Sequence, residues 1–178
     1  RHLFALVLLI LSATPVAAQF KVYEKNLQVL GFETSKKAFE TAKLDPAVQT
    51  AVRFCQPRMD SRRKLFGTLK RSKYLRVFSD LQNGMVVWGH ASGAPMILTI
   101  DLPGVALACG SLVGKRVRAG NQVKRLFEKY TRQKLRNIGF STGALPIARA
   151  WGSSQGDPVF FAYSNSRVQS SVLIVKVR

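Results

Sequence analysis

The sequence predicts a single α+β domain in which a largely antiparallel sheet packs against one long amphipathic helix and N-terminal helices. Short β-rich runs separated by turn pairs lie both before and after a helical stretch at 121–137. Such neighbouring runs, joined by short turns, indicate a sheet of about six or seven strands. Apolar residues make up 47% of the 178 residues, which is enough to bury a core. Since the chain shows no repeat, low-complexity segment or linker, we expect one domain.

The first residues have the pattern of a secretory signal peptide. Residues 3–11 are continuously apolar, and small side chains at Val16 and Ala18 suit a signal-peptidase site. The apolar run is shorter than the ~20 residues that cross a bilayer, and no later stretch is long and apolar enough. We therefore expect a signal peptide at 1–18 and a mature domain at 19–178. The mature domain would be exported to the periplasm or secreted, with no transmembrane segment.

The charge balance points to an anionic partner. The chain has 28 Lys and Arg against 9 Asp and Glu, a formal charge of +19, which becomes +18 when Arg1 leaves with the signal peptide. This charge is larger than solubility requires. The candidate partners are nucleic acid, an acidic polysaccharide, lipopolysaccharide, an anionic lipid surface or an acidic protein. A surface that is basic through overall composition alone is the alternative.

Cys55 and Cys109 are the two cysteines of the chain. Two and only two cysteines usually pair in an oxidising compartment, so we expect a disulfide, with two separate buried thiols as the alternative. A helix from Pro46 to about Gln56 would present Cys55 to the core, where a strand bearing Cys109 can meet it. We expect no metal site and no cofactor, because these cysteines and a lone histidine offer too few ligands.

The N-terminal part of the mature chain predicts two helices. The first covers 34–44. The second begins with Asp45 at the N-cap and Pro46 in the first helical position, a favoured pair, and Pro57 ends it. Residues 19–30 are ambiguous between a strand and a segment that leads into the domain.

Seven apolar or alternating runs predict the strands of the sheet. The pairs Asn83-Gly84 and Pro103-Gly104 are turn signals within the first four runs. Further turns at 153–157 and 165–167 separate the last three. The predicted strands are 74–79, 85–90, 95–102, 105–113, 147–152, 159–163 and 168–177.

The long helix has a recognisable start, stop and apolar side. Asn121 suits the N-cap because its side-chain oxygen can accept from free amides of the first turn. Gly139 suits the left-handed residue that follows a helix. At 100° per residue one narrow apolar stripe forms, which should face the core: Val123, Leu126, Phe127 and Tyr130.

The opposite side of this helix is the leading candidate for a binding site. It carries a row of cations, and the window 115–136 holds nine cations and one acid. Like charges three or four residues apart destabilise a helix by about 0.2–0.5 kcal/mol per pair, so a row of one sign is a candidate ligand-facing surface, with a tolerated solvated surface as the equal alternative. The predicted polyanion-binding residues are Arg125, Lys129, Arg132, Arg136, Lys115, Arg116 and Arg118.

A second basic segment lies at 58–77, where eight cations accompany one acid. Phe66, Leu69 and Tyr74 are interleaved among the charges. Cations for phosphates and rings for bases are typical of a nucleic-acid surface. The same composition is equally typical of a solvated loop with a few apolar anchors.

Enzymatic motifs are few. His90 is the one histidine of the mature chain, and no Gly-x-Ser-x-Gly elbow accompanies it. The glycine-containing stretches 110–114 and 139–143 lack the lysine and spacing of a phosphate-binding loop. Trp88 and Trp151 favour core packing over an exposed pair for sugars or bases.

These patterns predict a non-enzymatic exported protein that docks on a polyanionic surface through the cationic helix face, helped by the clusters at 115–118 and 62–73. The first alternative is a small secreted nuclease-like hydrolase, in which His90 works with an acid such as Glu128 near a basic groove. The second is an envelope assembly factor that binds an acidic protein.

Overall fold

The computed structural model describes residues 22–117, 120–139, 147–153, 159–165 and 170–178. The expected signal peptide, Arg118 and most of the two late turns lie outside the described residues. Five helices and eight strands fall within the described ranges.

The helices precede and interrupt the sheet. Helix α3 continues directly into a π-helical turn at Ala51–Cys55 and a 3-10 turn at Gln56–Arg58. The helices are α1 at 22–30, α2 at Phe32–Glu40, α3 at Leu44–Thr50, α4 at Arg62–Arg71 and α5 at Gly120–Thr131. The strands are β1 at Leu75–Asp80, β2 at Met85–Gly89, β3 at Ile97–Leu102, β4 at Ala106–Val113, β5 at Leu135–Ile138, β6 at Arg149–Ser153, β7 at Val159–Asn165 and β8 at Ser170–Val177.

One antiparallel sheet contains all eight strands in the order β1-β2-β3-β4-β8-β7-β6-β5. The central pair joins β4 to β8, from Ala106 opposite Val177 to Val113 opposite Ser170. Each half is a four-stranded meander preceded by a helix, α4 before β1–β4 and α5 before β5–β8. The two halves therefore have the same order of elements on either side of the β4–β8 pair.

The sheet buries a different set of side chains on each face, because successive residues of a strand point to opposite sides. On the helical face, α3, α4 and α5 enclose the larger core, which includes Trp88, Phe127, Trp151 and Phe161. Each large apolar side chain buried there contributes about 1.5–3 kcal/mol relative to exposure. On the opposite face, which we call the second face, a smaller apolar cluster packs against Ala38 of α2.

Several local predictions are confirmed. The Asn83-Gly84 and Pro103-Gly104 turns join β1 to β2 and β3 to β4, with φ of 62° at Gly84 and 70° at Gly104. The disulfide is present: Cys55, in the π-helical turn, pairs with Cys109 of β4 at a Cα–Cα distance of 5.5 Å. The apolar stripe of α5 also faces the core, with Val123 and Phe127 fully buried.

The predicted end of the long helix is wrong. Helix α5 stops at Thr131, Arg132 follows with a left-handed φ of 57°, and 135–138 form strand β5. The chain leaves the helix because Leu135 is buried opposite Ser153 of β6. Glu128 supports this exit, since its Oε1 accepts from the Leu135 amide at 2.9 Å. The sheet therefore has eight strands among the described residues, one more than the seven predicted runs.

The N-terminal boundaries also differ from the prediction. Helix α2 ends at Glu40, before the predicted 44, and α3 begins at Leu44 with Lys43 at the N-cap. Asp45 therefore lies inside the first turn and does not cap it. The ambiguous stretch before α2 is helical over 22–30, and the basic segment 58–77 contains helix α4 instead of a loop.

Candidate anion-binding site

Helix α4 is an amphipathic helix whose polar side is cationic. Ser61 caps it, because its Oγ accepts from the Lys64 amide at 3.4 Å. Leu65 and Leu69, one turn apart, are fully buried against the helical face of the sheet. This packing directs Arg62, Arg63 and Lys70 outward, toward the edge of the sheet formed by β1. The helix presents a basic surface because its apolar side is fixed in the core.

A cleft of about 400 Å³ lies between α4 and the edge strand β1. Its described lining has four cations and no acid. We call it the α4 cleft, and its lining residues are Arg62, Arg63, Phe66, Gly67, Lys70 and Arg76.

Aromatic rings hold two of the four cations in place. Phe66 packs edge-on against Trp88 with ring centroids 5.3 Å apart, and Arg62 Cζ lies 5.1 Å from the Phe66 centroid. Arg76 Cζ lies 5.2 Å from the centroid of Trp88. Trp88 is fixed in turn by donation from Nε1 to Thr99 Oγ1 at 2.9 Å. Guanidinium groups held on rings lose less side-chain freedom when they bind an anion.

The α4 cleft keeps an excess of positive charge. Arg62 Nε lies 2.7 Å from Asp101 Oδ2, but Asp101 is shared with Arg178, whose Nη1 is 3.2 Å from the other carboxylate oxygen. Arg63 and Lys70 form no side-chain ion pair or hydrogen bond with the described part of the chain. Close cations in a cleft repel one another, and a counter-anion would relieve that repulsion.

The structure does not form the cationic row predicted on α5. Arg125 lies exposed on the helix, whereas Arg132 follows its end and Arg136 lies on β5. Lys129 Nζ lies 3.2 Å from Asp45 Oδ2 and 4.9 Å from the Tyr130 ring centroid. The four side chains therefore belong to three different local structures, and one of them is already paired.

Asp45 forms an ion pair with Lys129 and so neutralises its charge. The Tyr130 hydroxyl donates to one carboxylate oxygen of Asp45, and Lys129 contacts the other. The Tyr130 hydrogen bond, followed by Lys129, holds the pKa of Asp45 below its usual value, although burial opposes the shift. The hydrogen bond to Asp45 in turn raises the pKa of Lys129.

The remaining predicted contacts lie elsewhere. Lys115 and Arg116 are exposed in the loop after β4, beside Glu40 at the end of α2, and Arg118 is outside the described residues. Helix α4 packs near Trp88 of β2, while α5 packs near Trp151 of β6 and Phe161 of β7. The α4 cleft and the α5 cations therefore lie over opposite halves of the sheet.

His90 and Glu128 have separate local contacts. His90 Nδ1 accepts from the Ser92 amide at 3.1 Å and lies 2.6 Å from Ser92 Oγ, within the turn after β2. Glu128 bonds the Leu135 amide and lies 3.5 Å from Lys124 Nζ. The described residues show no contact between His90 and Glu128, so they do not form an acid–base pair there.

The described residues contain no group of three or more His, Cys, Asp or Glu side chains suited to a metal ion. No helix among them has the length and apolarity to span a membrane. Trp88 and Trp151 are both fully buried, as the core interpretation predicts.

Comparison of the chain with known protein families, curated proteins and solved structures found no match in any of the three. A function can therefore be inferred only from the geometry and charge of the chain itself.

Sequence reasoning found the basic residues of the α4 cleft but not their arrangement. The sequence predicts the segment 62–73 as a basic cluster that assists the cationic helix face. The capping Ser61 and the apolar residues Leu65 and Leu69, four apart, are signals that indicate a helix. The contribution of Arg76 follows from the pairing of β1 with β2, which places it opposite Trp88. The Asn83-Gly84 turn signal predicts this hairpin but not its register, which includes a bulge between Arg76 and Phe78.

Proposed function

We propose that this chain is a non-catalytic exported protein that docks on a polyanion through the α4 cleft. The observation that carries the proposal is the cleft itself: four cations line it, no described acid does, and Arg63 and Lys70 have no partner in the described part of the chain. Rings under two of the guanidinium groups support a preformed site. The formal charge of +18 expected for the exported chain, +19 less Arg1, steers an anionic partner toward the protein.

The partner is proposed to be an anionic polymer or surface: nucleic acid, acidic polysaccharide or lipopolysaccharide. A polymer extends beyond one cleft and can meet further cations. Arg125, Arg132 and Arg136 are exposed and are proposed as outer contacts of a long polymer. Lys129 is a weaker candidate, because Asp45 neutralises it. In this proposal the α4 cleft is the anchor and the α5 cations extend it.

Export rests on two features. The leader-like pattern at 1–18 is typical of secretion, and the Cys55–Cys109 disulfide is typical of oxidising compartments. The nuclease-like alternative gains no support from the geometry, since the Nδ1 atom of His90 is occupied by its own turn. An acidic protein partner would use the same cleft. Binding experiments with different ligands distinguish it from an anionic polymer.

The test is a charge-reversal pair with a matched control pair. Arg63→Glu with Lys70→Glu alters the α4 cleft, and Arg125→Glu with Arg136→Glu alters the same number of exposed cations on the other half of the sheet. Binding to single-stranded DNA, heparin-like polysaccharide and lipopolysaccharide vesicles is measured at physiological salt. Thermal unfolding of each variant checks that the fold is kept.

We expect the cleft pair to lose at least about tenfold in affinity, since charge-assisted hydrogen bonds are worth about 1.5–3 kcal/mol each. The control pair should lose less. A larger loss in the control pair would contradict the α4 cleft and favour the predicted row near α5. Equal losses in both pairs would mean that the binding depends on charge alone.

A further inference from the structure

The second face of the sheet carries a large apolar groove that the docking proposal does not use. Its volume is about 720 Å³, and twelve of its sixteen described lining residues are apolar while none is charged. Strands β1 to β4 supply seven of these sixteen residues, and Phe39 of α2 also lines the groove. This volume lies within the ~300–1,000 Å³ that is typical of small-ligand sites.

The walls of the groove suit a flexible hydrocarbon. Met85 and Met96 contribute unbranched thioether chains, which adapt to irregular ligands. Leu98 and Ile100 add branched aliphatic side chains to the lining. Phe78 lines the groove and is 51% exposed, so this part of the apolar lining reaches solvent.

The polar residues of the groove all come from one pair of strands. Ser164 and Asn165 end β7, and Ser170 and Ser171 begin β8 beside them. Ser164 and Ser171 pair with each other across β7 and β8, and the alternation of the strands directs their side chains to the second face. Ser170 and Asn165 face the helical side, where Ser170 Oγ donates to Asn165 Oδ1 at 3.1 Å and accepts from the Val117 amide at 2.8 Å. Since the opposite wall is apolar, the groove has a polar end and an apolar body. This arrangement matches an amphiphile, which has a polar head group and an apolar chain.

The positive charge of the chain favours an amphiphile with a negatively charged head group. No described Asp or Glu lines the groove, and the chain as a whole carries +19. Lys36 lies one turn before Phe39 on the same side of α2 and is exposed. A cationic amphiphile would be repelled by this field, and an anionic one attracted.

We propose that the groove on the second face binds a single-chain anionic lipid, a long-chain fatty acid. The hydrocarbon chain lies along the β1–β4 wall and the carboxylate sits at the serine-rich β7–β8 end. This site is on the opposite face from the α4 cleft, so it is independent of the proposed docking function.

The test uses the full chain with its disulfide intact and a fluorescent fatty-acid probe. Hexadecanoate, octanoate and hexadecylamine compete for the probe in separate titrations. Ala148→Trp fills the groove from an exposed lining position, and Ala91→Trp makes the same change in an exposed turn outside it. Phe78→Ser is a second groove variant, at a half-exposed ring.

The proposal predicts saturable binding near one probe per chain, displaced by hexadecanoate at concentrations about tenfold lower than by octanoate or hexadecylamine. Ala148→Trp and Phe78→Ser should weaken binding about tenfold or more, and Ala91→Trp should not. The Arg63→Glu with Lys70→Glu pair should leave probe binding unchanged.

Three outcomes would overturn the proposal. The first is the absence of saturable binding by the folded protein. The second is equal competition by hexadecylamine, or no effect of either groove variant. The third is a dimer in gel filtration that persists with excess hexadecanoate and excludes the probe, since a second copy would then cover the groove.

Discussion

At the scale of single residues, Asp45 shows how tertiary contacts redirect a side chain. The Asp-Pro pair predicts an N-cap at Asp45, yet the helix begins two residues earlier than predicted, at Leu44, and the carboxylate faces α5. Tyr130 and Lys129 are more than eighty residues away along the chain. No local pattern specifies this partnership, so the sequence alone gives no sign that Lys129 forms an ion pair with Asp45.

Asp45→Asn should destabilise the protein slightly at neutral pH and not at low pH. The folded-state pKa of Asp45 is lowered, mainly by the Tyr130 hydrogen bond, so its contribution is present above the unfolded pKa of about 3.9. That contribution is lost as the pH falls through the folded-state pKa. The effect is small because the Asp45 and Lys129 side chains are 47% and 59% exposed.

The measurement is the midpoint of thermal unfolding for both proteins from pH 7 down to pH values where Asp45 is protonated. The two curves should converge at the acid end. A difference that stays constant through the acid range would show that the carboxylate charge does not act as described.

His90→Ala should leave polyanion binding unchanged. The ring contacts Ser92 within its own turn and the Tyr74 ring, at a centroid distance of 5.1 Å, so its loss affects local packing only. The measurement is binding of single-stranded DNA together with an assay for its cleavage. Cleavage by the wild type that disappears in this variant would contradict a non-catalytic function.

At the scale of elements, the apolar spacing correctly predicts the buried side of α5 and fails at its end. Residues 132–137 continue the helical spacing of charges, and Gly139 offers a plausible stop. The chain instead turns at Arg132, because burying Leu135 in the sheet and satisfying its amide with Glu128 outweighs local helix propensity. Similarly, the many cations of 58–77 suggest a loop, although Ser61 caps helix α4 and Leu65 and Leu69 have helical spacing.

Arg132→Gly should stabilise the protein by about 1 kcal/mol, because a non-glycine residue at a left-handed φ costs about 1–2 kcal/mol. Arg125→Gly, inside the helix, should destabilise it by about 1 kcal/mol. Urea denaturation of the two variants measures both changes. A loss of stability in Arg132→Gly as large as that in Arg125→Gly would mean that the helix continues through 132, as the sequence pattern indicates.

At the scale of the whole molecule, local sequence patterns predict the pieces of the sheet and not their order. Seven of the eight described strands match predicted runs, and two of the hairpin turns are visible as the pairs Asn83-Gly84 and Pro103-Gly104. The central pairing of β4 with β8 joins segments about sixty residues apart. No local sequence pattern predicts this pairing. The α4 cleft and the second-face groove both depend on this assembly, so neither could be located before the strands were placed.

The disulfide spans the core of this assembly and should contribute strongly to stability. It ties the π-helical turn after α3 to the central strand β4 across 54 residues of chain. Loss of a bridge closing a loop of this length costs roughly 4 kcal/mol if stabilisation arises from chain entropy. Cys55→Ser with Cys109→Ser should therefore lower the free energy of unfolding by about that amount in urea. Unchanged stability, with two titratable thiols in the wild type, would contradict the bridge.

The most direct test of the docking proposal is the salt dependence of binding to a single-stranded oligonucleotide. Each phosphate contact contributes about −0.7 to the slope of log affinity against log salt. Arg63→Gln with Lys70→Gln should therefore make the slope less steep by about 1.4 units, whereas Arg125→Gln with Arg136→Gln should change it less. A slope that is unchanged by the cleft pair, or that responds only to the other pair, would contradict the α4 cleft as the anchor.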